Sequence, residues 1–365
     1  MNRNQKISTT QTAIVVASTT FGVGVLSFPR SMAEASGSGA PLMALCGLAA
    51  ALIPLWLIIL LGLRFKRQSI FEYGQLLIGK WPAKAANLLL FLFFAVSSAL
   101  SSRQFGDVLS TVVFRKTPIE VCIILILLTT ALSCRRDIVK FSFIHIFYFP
   151  FIFFPYLLLM LISLQRIDLL SLQPLLGNAP MKFNPGLFQA ASLFLGSFIV
   201  TILIPYMKKP ESALKSGTYG IFISGGLYIL MVFSVLGIYG SEETKLLLYP
   251  TLELSRSISL GGGVLERFDA IFIIIWFVTV YTTLYSSYYL ASFAFSKLFR
   301  FADQRLTSSF LLPVLLGISL LPQDVFRERN IVQSLEFSGL LFLTCYPLLL
   351  LIISLLRRKG GVTHE

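Results

Sequence analysis

Charge is scarce in this chain. Only 13% of its 365 residues are Asp, Glu, Lys or Arg, against roughly 25% in an ordinary soluble domain. With 56% hydrophobic residues and a mean hydropathy of +0.81, a water-surrounded globule is excluded and a polytopic membrane protein is indicated. Histidine is nearly absent: His145 and His364 are the only two. No HExxH, no GxSxG and no paired intramembrane aspartates occur, so the motifs of the common hydrolases and metalloenzymes are missing. The expectation is no enzyme, no metal and no cofactor. The four cysteines, Cys46, Cys122, Cys134 and Cys345, lack CxxC spacing and fall in or at the ends of apolar runs. They read as small buried hydrophobes and not as a redox or zinc set.

Long apolar runs are abundant. A helical span needs about 20 apolar residues, and ten such spans are expected near 10–34, 40–63, 85–108, 118–134, 141–164, 185–207, 217–240, 268–296, 308–323 and 336–356. Arg3 and Lys6 precede the first, as in a signal peptide, but the run that follows exceeds the roughly 7–15 residues of a cleavable h-region. It reads as an uncleaved span. Net charge is +13. With both termini in the cytoplasm, the inner segments hold about twice as many Lys and Arg as the outer ones, the positive-inside bias. The basic charge is therefore topological. It forms no patch interleaved with aromatics, which argues against a nucleic-acid partner.

Two connections stand out. Segment 65–84 carries Phe71, Tyr73, Leu76, Leu77 and Trp81 among basic residues, and helical spacing predicts an amphipathic helix on the cytoplasmic face. Loop 241–267, with Tyr249-Pro250, Glu253, Arg256 and Gly261-Gly262-Gly263, is the longest connection. It reads as partly helical, either a lid or partner surface or a plain connector.

Breakers inside spans are the most informative feature. The first span reads TTFGVGVLSFPR over Thr19–Arg30, with Gly22 and Gly24 in its middle and Pro29 beyond. Span six reads LFLGSFIVTILIP over Leu193–Pro205, interrupted at Gly196 and Ser197. A glycine weakens a helix interior by about 1 kcal/mol relative to alanine. In hydrocarbon, backbone groups freed by a break cost several kcal/mol each unless protein or a polar ligand satisfies them. Corresponding breaks in two halves of a chain point to a transporter-type binding site.

The GVGVLSFPR run at Gly22–Arg30 resembles the first-helix motif of the amino acid–polyamine–organocation superfamily. The stretch YPTLELSRSISLGGGVLERFDAIFIII at Tyr249–Ile275, the following Trp276, and IPYMKKP at Ile204–Pro210 look like the corresponding regions of spore germination B subunits. The resemblance covers essentially the whole chain. It implies a B subunit of a GerA-type germinant receptor in the inner membrane of a spore, beside an A subunit and a lipoprotein C subunit, sensing an amino acid or similar nutrient. The fold it implies is an all-α, LeuT-like five-plus-five inverted repeat, the first repeat at about 10–164 and the second at about 185–356. Helices one and six would be unwound at the site.

An α-amino acid presents a carboxylate and an ammonium. Free N–H groups around Gly22, Val23, Gly24 and Val25, at the start of a half-helix, suit the carboxylate. Carbonyls near Thr19, Thr20 and Phe21, and near Leu195 and Gly196, suit the ammonium. Thr20 and Ser197 add hydroxyls, and Phe198 is placed to close over the ligand. The alternative is that these glycines only allow close helix packing. Ser97 and Ser101 share one face of span three and are expected either to line the pocket or to bond back to their own helix. The polar-aromatic face of span eight, Trp276 to Tyr288, suggests a water-accessible path. Arg103 and Asp107, spaced i, i+4, are expected to pair. Asp269, beside Glu266 and Arg267, and Glu336 read as span ends near the interface. His145 reads as a hydrogen-bonded structural histidine, with proton coupling as the alternative. A ligand-sensing receptor subunit and a secondary amino acid transporter are both compatible with this sequence, because one fold serves both.

Overall fold

The computed structural model describes residues 6–174, 177, 183–257, 268–301 and 304–357. Arg3, Lys182, the Gly261–Gly263 triplet, Glu266, Arg267, Arg358, Lys359 and His364 lie outside the described residues. Within them the chain is helical: α1 Thr9–Thr20, α2 Phe28–Ser36, α3 Ala40–Arg64, α4 Ile70–Ile78, α5 Lys80–Val108, α6 Ile119–Ser133 and α7 Ile138–Ser163. Then follow α8 Phe183–Ser192, α9 Val200–Leu203, α10 Ala213–Leu246, α11 Pro250–Ser257, α12 Phe268–Phe299, α13 Gln304–Ser319 and α14 Val325–Leu356.

Six of the described helices, some joined across short turns, are long and apolar enough to cross a membrane alone: Phe28–Arg64, Lys80–Val113, Ile138–Arg166, Pro210–Leu246, Asp269–Phe299 and Arg327–Leu356. Pro185–Ser192 and Leu195–Tyr206, bent by 44°, make a seventh if taken as one span. Ile119–Ser133 and Arg305–Ser319 are shorter apolar helices. Length and composition thus stop short of ten. Three features account for the shortfall: α1 ends after 12 residues, the chain bends between Ser192 and Leu195, and Ile119–Ser133 and Arg305–Ser319 are too short to count alone.

The outer surface is apolar where a soluble protein would be polar. Phe143, Phe147, Phe151 and Phe154 on α7 are all exposed, a contiguous apolar stripe that water would penalise and lipid accepts. Inside, α1 packs against α10, α7 and α12, while α5 packs against α12, α13, α6 and α14. Small residues allow the close approaches: a Cβ on Gly220 of α10 would stand 2.6 Å from Val16 Cβ and 2.7 Å from Ala13 O of α1.

Segment 65–84 forms α4, started by a capping box in which Ser69 and Glu72 satisfy each other's backbone N–H groups. Its apolar side faces protein. Phe71 packs edge-on against Phe198 and Phe293, and Tyr73 stacks on Phe65 at 4.9 Å. Leu76 and Trp81 are exposed. Lys297 at the end of α12 bonds Glu72 Oε1 at 2.6 Å. Burial opposes ionisation of Glu72, but the Lys297 and Ser69 hydrogen bonds outweigh it and hold the carboxyl below the usual glutamate range. In loop 241–267 the described part is helical at α11, which docks on the first break: Thr251 Oγ1 donates to Val25 O at 2.8 Å.

Candidate functional site

The chain leaves helical geometry after Thr20. Phe21 is extended, and Gly22 lies outside any helix at φ −143°, ψ −138°. A 3₁₀ turn over Val23–Leu26 leads to α2, with Pro29 in its first turn. Tyr228 of α10 bridges the gap: its hydroxyl accepts from Gly22 N–H at 3.2 Å and donates to Thr20 O at 3.3 Å. Val25 N–H donates to Gly22 O. No hydrogen bond within the described residues takes up the N–H of Val23 or Gly24. The second break is built alike. α8 ends at Ser192, a 3₁₀ turn spans Leu195–Ile199, and Ser197 N–H donates to Phe194 O at 2.9 Å. The N–H groups of Leu195 and Gly196 take no such bond. The breaks touch: a Cβ on Gly196 would stand 2.8 Å from Thr19 Cγ2 and 3.1 Å from Thr19 O. One on Gly22 would stand 2.1 Å from Thr283 Oγ1.

A cavity of about 250 Å3 opens along both breaks, roughly ten times or more the space one water needs. Of the residues expected from sequence, Thr19, Thr20, Gly22, Val23, Gly24, Ser97, Ser101, Leu195 and Gly196 line it. Four face elsewhere. Phe21 is buried against Tyr156 and Tyr228. The Val25 side chain is buried in the core. Phe198 packs on Phe71 and Phe94, and it shares with Ser197 a small separate void. Phe198 therefore does not cover the cavity. Four backbone groups expected to be free are occupied: Tyr228 holds Gly22 N–H and Thr20 O, Val25 N–H donates to Gly22 O, and Phe21 O accepts from Thr283 Oγ1 at 3.5 Å. The Thr20 hydroxyl bonds back to Val16 O at 2.8 Å and to Ser224 at 2.7 Å. On α5, Ser98 and Ser102 bond back to their own helix, while Ser97 and Ser101, on the cavity side, make no side-chain hydrogen bond among the described residues.

Sequence reading missed much of the polar wall. Tyr228, Gln104, Asp107, Gln189, Ser192, Glu328, Gln333 and Glu336 also line the cavity. Asp107 and Glu336 sit on helix turns that looked like span ends, Glu328 falls between two expected spans, and only the fold brings α5 and α14 together. Arg103 Nε pairs with Asp107 Oδ2 at 3.1 Å. On α12, Trp276, Thr283 and Ser287 face the cavity. The tyrosines instead bond protein neighbours: Tyr281 reaches Ser133 Oγ at 2.6 Å and Tyr285 reaches Ser133 O at 3.2 Å.

Behind the first break lies a buried hydroxyl network. His145 of α7 is fully buried. Ser18 Oγ lies 2.6 Å from its Nδ1, and Ser286 Oγ lies 3.2 Å from its Nε2. Ser286 also bonds Thr19 Oγ1 at 2.7 Å, and Thr282 Oγ1 donates to Ser18 O at 3.1 Å. The network ties the last turn of α1 to α7 and α12.

The sequence profile of the family described as spore germination protein matches residues 6–326. The chain belongs to the spore germination protein family. Spore germination protein YndE of Bacillus subtilis (strain 168) is 27% identical over 97% of this chain and 98% of its own length. Spore germination protein GerLB of Bacillus cereus is 25% identical, over 98% of this chain and 96% of its own. Among solved structures, a Na+-coupled sialic acid symporter in a substrate-bound outward-open state superposes with a TM-score of 0.67 at 12% identity, over 92% of this chain and 77% of that one. That likeness is one of fold. Family and fold together support a multi-pass helical membrane protein of the germinant-receptor or permease-like kind.

Proposed function

We propose that this chain is the nutrient-sensing membrane subunit of a spore germinant receptor, and that it binds a small solute, an amino acid, in the cavity between the two breaks. One observation carries the reading. Two facing breaks leave the N–H groups of Val23, Gly24, Leu195 and Gly196 without protein partners beside one cavity. Unpaired backbone groups within a membrane protein cost several kcal/mol each, and a ligand carboxylate satisfies them. Thr19 O and the cavity-facing Ser97 and Ser101 suit the ammonium.

In this reading α1–α2 and α8–α9 are the broken first and sixth spans of a five-plus-five repeat. With α6 and α13 counted as spans the total is ten, and both termini lie in the cytoplasm of a chain seated in the spore inner membrane. An A subunit and a lipoprotein C subunit complete the receptor. Ligand acts through its different affinity for two arrangements of the helices around the breaks, and α11, hydrogen-bonded to Val25 O, is the element outside the spans that feels the first break directly.

The likeness to a symporter's fold supports one second reading, a secondary transporter of the same solute. The two separate by experiment. Purified chain in liposomes is loaded against radiolabelled amino acids, and spores with and without the A and C subunits are tested for nutrient response. A response that needs all three subunits, with no flux, is expected. Flux by the chain alone would replace the receptor reading with the transporter one.

A further inference from the structure

The cavity has an acidic side that the broken helices do not explain. Glu328, in the first turns of α14, is 3% exposed. Its carboxyl neighbours that of Asp107, on α5, and the side chain of Gln104 on the same helix. Both line the cavity. Glu328 Oε1 has no hydrogen-bond partner. The cations nearby are committed. Arg103 is bonded to Asp107 at 3.1 Å. Arg30 and Arg329, the two arginines of the cavity lining, are both held by Glu34, the former at 2.8 Å. Among the described residues no ion pair reaches Glu328. Two neighbouring carboxyl groups thus share one arginine, and a buried acceptor faces the cavity unfilled.

A buried carboxylate oxygen without a donor is costly, and a carboxylate can only accept. What Glu328 Oε1 lacks is a donor, and the Asp107 and Glu328 carboxyls have one arginine, Arg103, beside them. A primary ammonium brings one charge and three donors; a hydroxyl or an amide brings no charge. We infer that Glu328, with Asp107, forms a second subsite for a cationic group, so that the solute taken by this cavity is a basic amino acid or a diamine. The inference rests on the proposed binding of a solute at the helix breaks: the α-carboxylate lies at Val23 and Gly24, and the side-chain ammonium reaches the α5–α14 wall.

The test uses the purified full-length chain in nanodiscs and equilibrium binding of radiolabelled L-lysine, L-norleucine and cadaverine. Norleucine has lysine's four side-chain carbons without the ammonium. Cadaverine has two ammonium groups and no carboxylate. Lysine is expected to bind at least tenfold tighter than norleucine. Glu328→Gln, which keeps shape and loses charge, should bring the two within about twofold, and Glu328→Asp should retain more of the preference. Unfolding temperatures of the variants show whether each is folded. A variant that does not fold is replaced by Asp107→Asn, which should narrow the same ratio.

Norleucine binding as tightly as lysine, or a lysine preference that survives Glu328→Gln, would overturn the cationic subsite while leaving the solute site at the breaks in place. Cadaverine binding that depends on Glu328, without binding of either amino acid, would support the subsite and overturn the amino acid reading. Absence of binding by all three would overturn both.

Discussion

Tyr228→Phe isolates one hydroxyl and is the sharpest single test of the first break. The ring contacts remain, since Phe21, Phe28 and Phe194 lie against the aromatic face at centroid distances of 4.9, 5.1 and 6.0 Å. Lost are one hydrogen bond from Gly22 N–H at 3.2 Å and one to Thr20 O at 3.3 Å. Each buried group left unsatisfied costs about 1–3 kcal/mol. Both bonds are long, and Gly22 and Thr20 line a cavity with room for water, so the lower end applies, about 2 kcal/mol in total. If that energy holds the break in its ligand-accepting shape, the ligand must supply it in the variant. A free-energy loss of about 1.4 kcal/mol is tenfold in affinity, so the half-maximal nutrient concentration for dipicolinate release should rise at least about tenfold. Spores carrying the variant, matched for protein level, give the dose–response. An unchanged half-maximal concentration would refute the claim that Tyr228 shapes the break.

Gly22→Ala places a methyl 2.1 Å from Thr283 Oγ1 and 2.7 Å from its Cβ and Cγ2; overpacking of this kind costs about 1–3 kcal/mol. The unfolding temperature should fall, and Thr283→Gly in the same chain should recover part of the loss. His145→Ala takes one partner each from Ser18 and Ser286, which keep Ile14 O and Thr19 Oγ1, and empties a ring-sized space, so stability should drop by roughly 2–4 kcal/mol. As a structural residue His145 should leave the pH profile of germination between about pH 6 and 8 unchanged when the variant is compared with wild type; an altered profile would point to proton coupling. Glu72 has a folded pKa below its unfolded value of about 4.3. Its contribution is therefore present above that value and lost as pH falls through the lower folded one. The stability advantage of wild type over Glu72→Gln should be full at pH 6 and shrink toward pH 3, read by thermal unfolding across that range.

The helix breaks were legible because Gly22, Gly24 and Pro29 cluster within eight residues and Gly196-Ser197 stands at the corresponding place in the second half. Gly22, Gly24 and Gly196 could be placed beside a cavity from sequence for that reason. Side-chain direction was not legible next to a break, where the 3.6-residue period stops applying: Phe21, Val25, Ser197 and Phe198 turn into other packing. The role of Tyr228 was hidden for a different reason. It lies more than two hundred positions from the groups it bridges, and nothing local distinguishes it from other aromatics on α10. The acidic wall was hidden because Asp107, Glu328 and Glu336 each look, taken singly, like a charge at a membrane interface. Only the contact between α5 and α14 makes them one surface. Segment 65–84 shows that an apolar helical face can be read from spacing while its packing partners, Phe198 and Phe293, cannot.

The most direct test of the binding site is complementation at Gly24. The gene is deleted in its host, and spores are followed for dipicolinate release after single nutrients, with the deletion complemented by wild type or by Gly24→Phe. An added Cβ here presses on the flexible end of Leu193, at 2.7 Å, and reaches the Tyr228 hydroxyl only at an ordinary 3.8 Å, so the chain should still insert, as immunoblotting of spore membranes will show, while the phenyl ring fills the cavity. Wild type should restore the response to one nutrient class and Gly24→Phe should not, although present at the same level. A full response with Gly24→Phe would contradict the placement of the ligand at the helix breaks.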